Sequence, residues 1–231
     1  MNDVSQQAEL NARYYDSRLN NHGLEKWISP TKWVQRLRFH RVLANLLPLP
    51  EESWLDVGCG TADFLSYLRE MRIGGDYLGV DIYEPAIEFA ARRYKEDDAA
   101  SFITRDVLDD VINWGQIHTH AWCVALGVFA RRDCRLSHAN KMFLDIMDFM
   151  YRSCVRGCAI TVHSTYMTEC DENEMAFDPV WVFQQARRMS ERVMVDHSYA
   201  PHDFMVCLFK EKSPFRKEWE RKGGWNSETG E

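Results

Sequence analysis

Several things are scarce in this chain of 231 residues, and each scarcity excludes a class of protein. No apolar run approaches the roughly 18 residues that a membrane-spanning helix needs, so no membrane partner is expected. The leading segment, MNDVSQQAELNARYYD, has no apolar h-region, and no secretory signal is expected there. Positive charge does not dominate: the formal net charge is −7. That balance opposes the broad basic footprint of a nucleic-acid binder, so no nucleic acid is expected as a partner. The cysteines number seven, an odd count, and none stand in C-x-x-C spacing. A disulfide framework and a zinc knuckle are both disfavoured, no metal is expected, and the thiols read as small buried hydrophobes in a reducing cytoplasm. Internal repeats and low-complexity blocks are absent as well.

What is present is the composition of a globular domain, 45% hydrophobic and 27% charged. The length gives one large domain with decoration rather than two. Positions 5–19 and 31–47 carry apolar and aromatic residues at three-to-four spacing, including Leu10, Tyr14 and Tyr15, then Trp33, Leu37, Val42 and Leu43. They read as helices. Pro30 suits the start of the second, and Pro48 and Pro50 stop it.

From Ser53 the pattern changes to strand-length apolar runs alternating with amphipathic helices. The strands are SWLDVG, YLGVDI, SFITRDV, HAWCVALGVF and GCAITVHST. The helices are TADFLSYLREM, PAIEFAARRYK, HANKMFLDIMDFMYRSCV and DPVWVFQQARRMS. RVMVDHS and HDFMVCLFK follow, joined too tightly for a crossover helix, so they are antiparallel. The expectation is an α/β fold with a Rossmann-like seven-stranded sheet. Six strands are parallel and one antiparallel, and helices cover both faces. Residues 1–50 would form an N-terminal helical lid, 51–210 the core domain and 211–231 a polar tail. Ligands on such a sheet bind at the carboxyl ends of the strands. That edge holds Asp56 to Ala62, Asp81, Asp106, Leu126 to Ala130, His163 to Thr165 and the turn from Ser198 to His202.

Gly58 and Gly60 end the first strand with a tight turn. A dinucleotide fingerprint would want a third glycine at position 63, where this chain has Asp63, a carboxylate that repels a pyrophosphate. Asp56 suits a ligand bearing positive charge instead. Asp81 stands 21 residues after Gly60, where a carboxylate accepts ribose hydroxyls. Asp106 ends the third strand, where an acid accepts an adenine amino group and the next N–H donates to the ring.

LDVGCGTADF, YLGVDIYEPAIEFA and SFITRDV together resemble the first three motifs of the class I S-adenosylmethionine-dependent methyltransferases. AWCVALGVFA resembles the fourth, and the closing hairpin resembles that family's last two strands. The resemblance spans Trp54 to Lys210 and implies S-adenosyl-L-methionine as cofactor and direct in-line methyl transfer. By resemblance, Gly58, Cys59 and Gly60 would cradle the methionine part with Asp56 near it. Asp81, with Ile82 beside it, would hold the ribose, and Asp106 and Val107 the adenine. Leu126 and Gly127 would approach the methionine amino group and the transferred methyl. Arg38, in a leading segment like that of a bacterial branch of the family, would take the cofactor carboxylate.

The acceptor edge offers His163, Tyr166 and His202 as catalytic candidates and Tyr15, Arg131, Arg132 and Tyr199 as substrate contacts. Cys59 and Cys134 have no evident partner base, and direct transfer needs no protein nucleophile. The N-P-P-Y type signature of base amino methylation does not follow the fourth strand. The expected acceptor is a small molecule or small peptide-derived metabolite, and the expected assembly a monomer or homodimer. Transfer of another group, such as carboxymethyl, and a non-catalytic cofactor-binding subunit stand as alternatives. A dehydrogenase is disfavoured by Asp63.

Overall fold

The computed structural model describes residues 16, 32–109, 120–129, 136–167 and 175–211. Its elements run α1 (Lys32–Leu46), β1 (Trp54–Val57), α2 (Asp63–Glu70), β2 (Tyr77–Asp81), α3 (Glu84–Arg93), β3 (Ala100–Thr104) and β4 (His120–Leu126). Then follow α4 (Leu136–Arg152), β5 (Cys154–Ser164), β6 (Ala176–Phe177), α5 (Pro179–Met189), β7 (Arg192–Asp196) and β8 (Asp203–Phe209).

The sheet order is β3-β2-β1-β4-β5-β8-β7. β8 is antiparallel to both β5 and β7, and the other pairings on this path are parallel. This is the expected seven-stranded architecture with one addition. The two-residue β6 pairs parallel with the end of β5, His163 opposite Ala176. An element of two residues is too short for a periodic signal, which is why the sequence does not announce it.

Alternation along the strands sends side chains to two separate cores. Leu55, Val57, Val80, Ile160, Val162 and Val206 pack with Phe143, Met147 and Met150 of α4 and Val182 and Ala186 of α5. Trp54, Trp122, Val124, Met205 and Cys207 pack on the opposite face with Phe64, Leu65 and Leu68 of α2 and with Phe39, Val42 and Leu46 of α1. The Phe39 ring lies 5.3 Å from Phe64 and 5.7 Å from Tyr67. α1 is therefore held by apolar packing as well as by ions. Arg41 and Asn45 both reach Asp196 at the end of β7, at 2.6 Å and 2.9 Å, and Arg36 pairs with Glu70 of α2 at 2.6 Å.

Two boundaries shift from expectation. α4 stops at Arg152 and β5 begins at Cys154, three residues before Gly157. The register shift between His120 and Trp122 lets this extra length pair with β4, since His120 faces Cys154 and Trp122 faces Gly157. α1 ends at Leu46, with Leu47 at φ 52°, ahead of Pro48. The expected helix at 5–19 lies outside the described residues except for Asp16, which is helical.

Candidate functional site: the carboxyl edge of the sheet

The turn from Val57 to Asp63 is built by backbone donors that point sideways into β2. The N–H groups of Gly58 and Cys59 donate to Val80 O at 2.7 Å and 3.1 Å, and Gly60 N–H donates to Asp81 Oδ2 at 2.9 Å. Gly58 and Gly60 take φ of 71° and 53°, and a Cβ on Gly58 would collide with the Val128 side chain. Ala62 is also left-handed, at φ 59°, and caps α2 with its carbonyl held by the Tyr94 hydroxyl at 3.0 Å. The donors of this loop are thus committed within the fold. A pyrophosphate needs free N–H groups at the helix start, and the loop withholds those of residues 58–60. Asp63, in the first turn of α2, is paired with Arg93 at 2.8 Å.

Three carboxylates stand at the ends of β1, β2 and β3. Asp56 is buried and accepts the Tyr77 hydroxyl at 2.6 Å. Burial pushes its pKa up to about 7, the Tyr77 bond pulls it back, and the Asp81 charge raises it. Asp81 accepts from Gly60 with one oxygen and from Tyr83 N–H with the other, at 2.9 Å, and burial raises its pKa. The backbone N–H groups of Tyr83, Gly60 and Ile82 pull that pKa back. Asp106 folds an Asx-turn onto Leu108 N–H at 2.9 Å, and burial raises it too. Ile82 is exposed and Val107 buried in the α4-side core. Tyr83, beside Asp81, donates its hydroxyl to Asp16 at 2.7 Å.

Cys59 lies between the two glycines, but its thiol does not face outward. The sulfur packs on Gly79, where a Cβ would approach it to 2.8 Å, and burial with Asp81 and Asp56 raises its pKa well above the thiol range. It is a protonated packing group, not a nucleophile. Cys134 lies outside the described residues.

Leu126 closes β4 and Gly127 follows at φ 96°. Over Gly127 stands Arg38, with Nη1 3.6 Å from where a glycine Cβ would lie. Arg38 also binds Asp203 through Nε and Nη2, each at 2.8 Å. The structure therefore places Arg38 at the β4 edge and gives it Asp203 as a partner, which the sequence pattern does not show. A charged residue opening a strand inside the sheet was the available signal.

His163 and His202 come together, ring centroids 6.2 Å apart and nearly perpendicular. Tyr166 is 60% exposed and sits 6.2 Å from His197 instead. Tyr199 packs at the margin of the α1-side core, and burial and the nearby Asp203 charge push its phenol up. Tyr15, Arg131 and Arg132 lie outside the described residues. Among the described residues no group of three or more His, Cys, Asp or Glu side chains forms a metal site. Likewise, no helix there is long and apolar enough to cross a membrane.

Residues 49–113 match a family model described as a methyltransferase domain. The Mycobacterium tuberculosis protein named "Putative methyltransferase Rv1506c" is 26% identical over 160 residues, covering 67% of this chain and 91% of that protein. Among solved structures, magnesium protoporphyrin IX methyltransferase (ChlM) of Synechocystis PCC 6803, with bound SAH, superposes at a TM-score of 0.60. It is 14% identical and covers 88% of this chain and 99% of its own. A SAM-dependent methyltransferase of Aquifex aeolicus gives 0.57 at 18% identity, covering 80% and 96%. The small RNA methyltransferase HEN1 gives 0.58 at 13% identity, covering 78% of this chain and 25% of its own. At these identities the solved structures share the fold.

Proposed function

We propose that this chain, a class I S-adenosylmethionine-dependent methyltransferase, methylates a small molecule seated beside the ends of β4 and β5 and the start of β8. The observation that carries the cofactor half is the commitment of the loop donors. With the N–H groups of Gly58, Cys59 and Gly60 spent on Val80 and Asp81, the loop suits a cationic ligand end and not a pyrophosphate. Asp56 adds negative charge beneath it. Asp81 would hold the ribose hydroxyls, Asp106 and the Val107 backbone the adenine, and Arg38 the carboxylate. When bound, S-adenosylmethionine supplies a methyl group already activated on a sulfonium.

The remaining work falls to residues that align the acceptor and keep the site dry. His163 and His202 stand at that edge, where their ring nitrogens can take the acceptor's proton; acceptors that ionise on their own need no base. The raised pKa of Cys59 keeps its thiol protonated and out of the chemistry. A small acceptor is favoured over nucleic acid by the net charge of −7, which repels a polyanion. Mass spectrometry of a small-molecule panel and of RNA, each incubated with enzyme and S-adenosylmethionine, tests this reading. The expected product is a small molecule gaining one methyl. Methylated RNA with an unmodified panel would overturn the acceptor half, and a carboxymethyl gain would overturn the methyl half.

A further inference from the structure

We infer that Asp203 is the positioning residue for the cofactor's amino-acid end, locking the Arg38 guanidinium so that its open edge meets the cofactor carboxylate over Gly127. The inference rests on the cofactor reading above and adds the residue through which Arg38 acts. Asp203 opens β8 and is 1% exposed. Its Oδ2 accepts a hydrogen bond from Arg38 Nε at 2.8 Å and stands in ion-pair contact with Nη2, also at 2.8 Å. Contacts at two nitrogens along one edge hold the plane of a guanidinium as a single contact would not. The pair leaves Nη1 directed to Gly127, where the left-handed glycine, φ 96°, opens the end of β4.

Docking of α1 does not by itself call for this pair. Arg41 and Asn45 already tie the helix to the same hairpin through Asp196, and Phe39, Val42 and Leu46 bury its apolar side. A buried ion pair is a weak stabiliser against apolar packing of the same shape, so stability alone does not account for it.

The surroundings have polar capacity to spare. On the same face of β5, Thr161 is 1% exposed and its hydroxyl has no partner among the described residues. Buried hydroxyls are ordinarily satisfied, so this flank of the Arg38–Asp203 pair is built to receive another polar group. Asp203 also lies directly opposite His163 across the β5–β8 ladder. The cofactor clamp and the acceptor-side imidazole are thus neighbours on one strand pair.

The test is a ligand pair read by calorimetry. S-adenosylhomocysteine carries the amino-acid end, and 5′-methylthioadenosine lacks it. Asp203→Asn should weaken the first by about ten-fold or more, as expected for losing a charge-assisted contact, and leave the second within about two-fold. Arg38→Gln should show the same split, and the double variant should be no weaker than either single one. Methylthioadenosine binding itself reports a folded site. Should Asp203→Asn fail to fold, Arg38→Gln carries the test alone, since α1 keeps its ties to Asp196. Equal weakening for both ligands would assign the pair a structural role and overturn the inference, as would unchanged S-adenosylhomocysteine binding in Asp203→Asn or in Arg38→Gln. A wild-type chain that binds neither ligand would remove the cofactor reading, and this inference with it.

Discussion

Asp56→Asn should make the protein more stable at alkaline pH while weakening its hold on the cofactor. Asp56 is buried beneath the glycine turn, and burial raises its pKa from the ordinary 3.8 to about 7. Between those values the unfolded chain gives up the proton first and the native state keeps it. Stability contributed by this group is therefore lost as pH rises from about 4, and the loss is complete above about 7. At about 1.4 kcal/mol per pH unit, the ionised native form carries a cost on the order of 4 kcal/mol, about half of it already present at pH 5.5. Asparagine removes the charge and still accepts the Tyr77 hydroxyl. The gain in melting temperature over wild type should grow between pH 5.5 and 8.5 by about 4–8 °C, at roughly 2–4 °C per kcal/mol for a chain this long. Melting curves across that range read it directly. A gain that stays constant with pH, or a variant less stable than wild type at pH 8.5, would show that the Asp56 proton does not set this stability. The same substitution removes negative charge beneath a cationic ligand, so S-adenosylmethionine affinity should fall: stability and function pull in opposite directions at this residue.

Other consequences follow from the same geometry. Tyr77→Phe deletes the one bond that favours the ionised Asp56, so the midpoint of the pH-dependent stability change should move to higher pH. Gly58→Ala should cost about 2–5 kcal/mol by chemical denaturation, from a left-handed backbone and a collision with Val128. Adding Val128→Ala should recover only the packing part. His163→Gln should lower kcat about a hundred-fold or more for an acceptor that must lose a proton, with S-adenosylhomocysteine affinity unchanged. An unchanged kcat would assign His163 to acceptor shape alone.

The strand–helix alternation from Ser53 onward was legible because each run has one period and one buried face. The tight link between RVMVDHS and HDFMVCLFK identified the antiparallel pair for the same reason. Asp81 and Gly60 were legible as separate residues 21 apart, but the bond between them was not. That bond arises from parallel pairing of β1 with β2, a long-range register that no local pattern encodes. For Cys59, its place between two glycines was legible, but the direction of its thiol, down onto Gly79, was not. Asp203 escaped because its partner lies 165 positions away on α1. In the sequence it is one acid between a turn and a strand, and only the packing of α1 over β8 gives it a cation.

The glycine turn, with its donors spent on β2 and with Asp81 behind it, should hold an S-adenosyl ligand. Titration calorimetry of the full chain with S-adenosylhomocysteine, with NADH as the dinucleotide control, measures this. One site is expected for S-adenosylhomocysteine, at least about ten-fold weaker in Asp81→Asn, and no binding of NADH. Binding of NADH, or no heat with S-adenosylhomocysteine and S-adenosylmethionine alike, would contradict it.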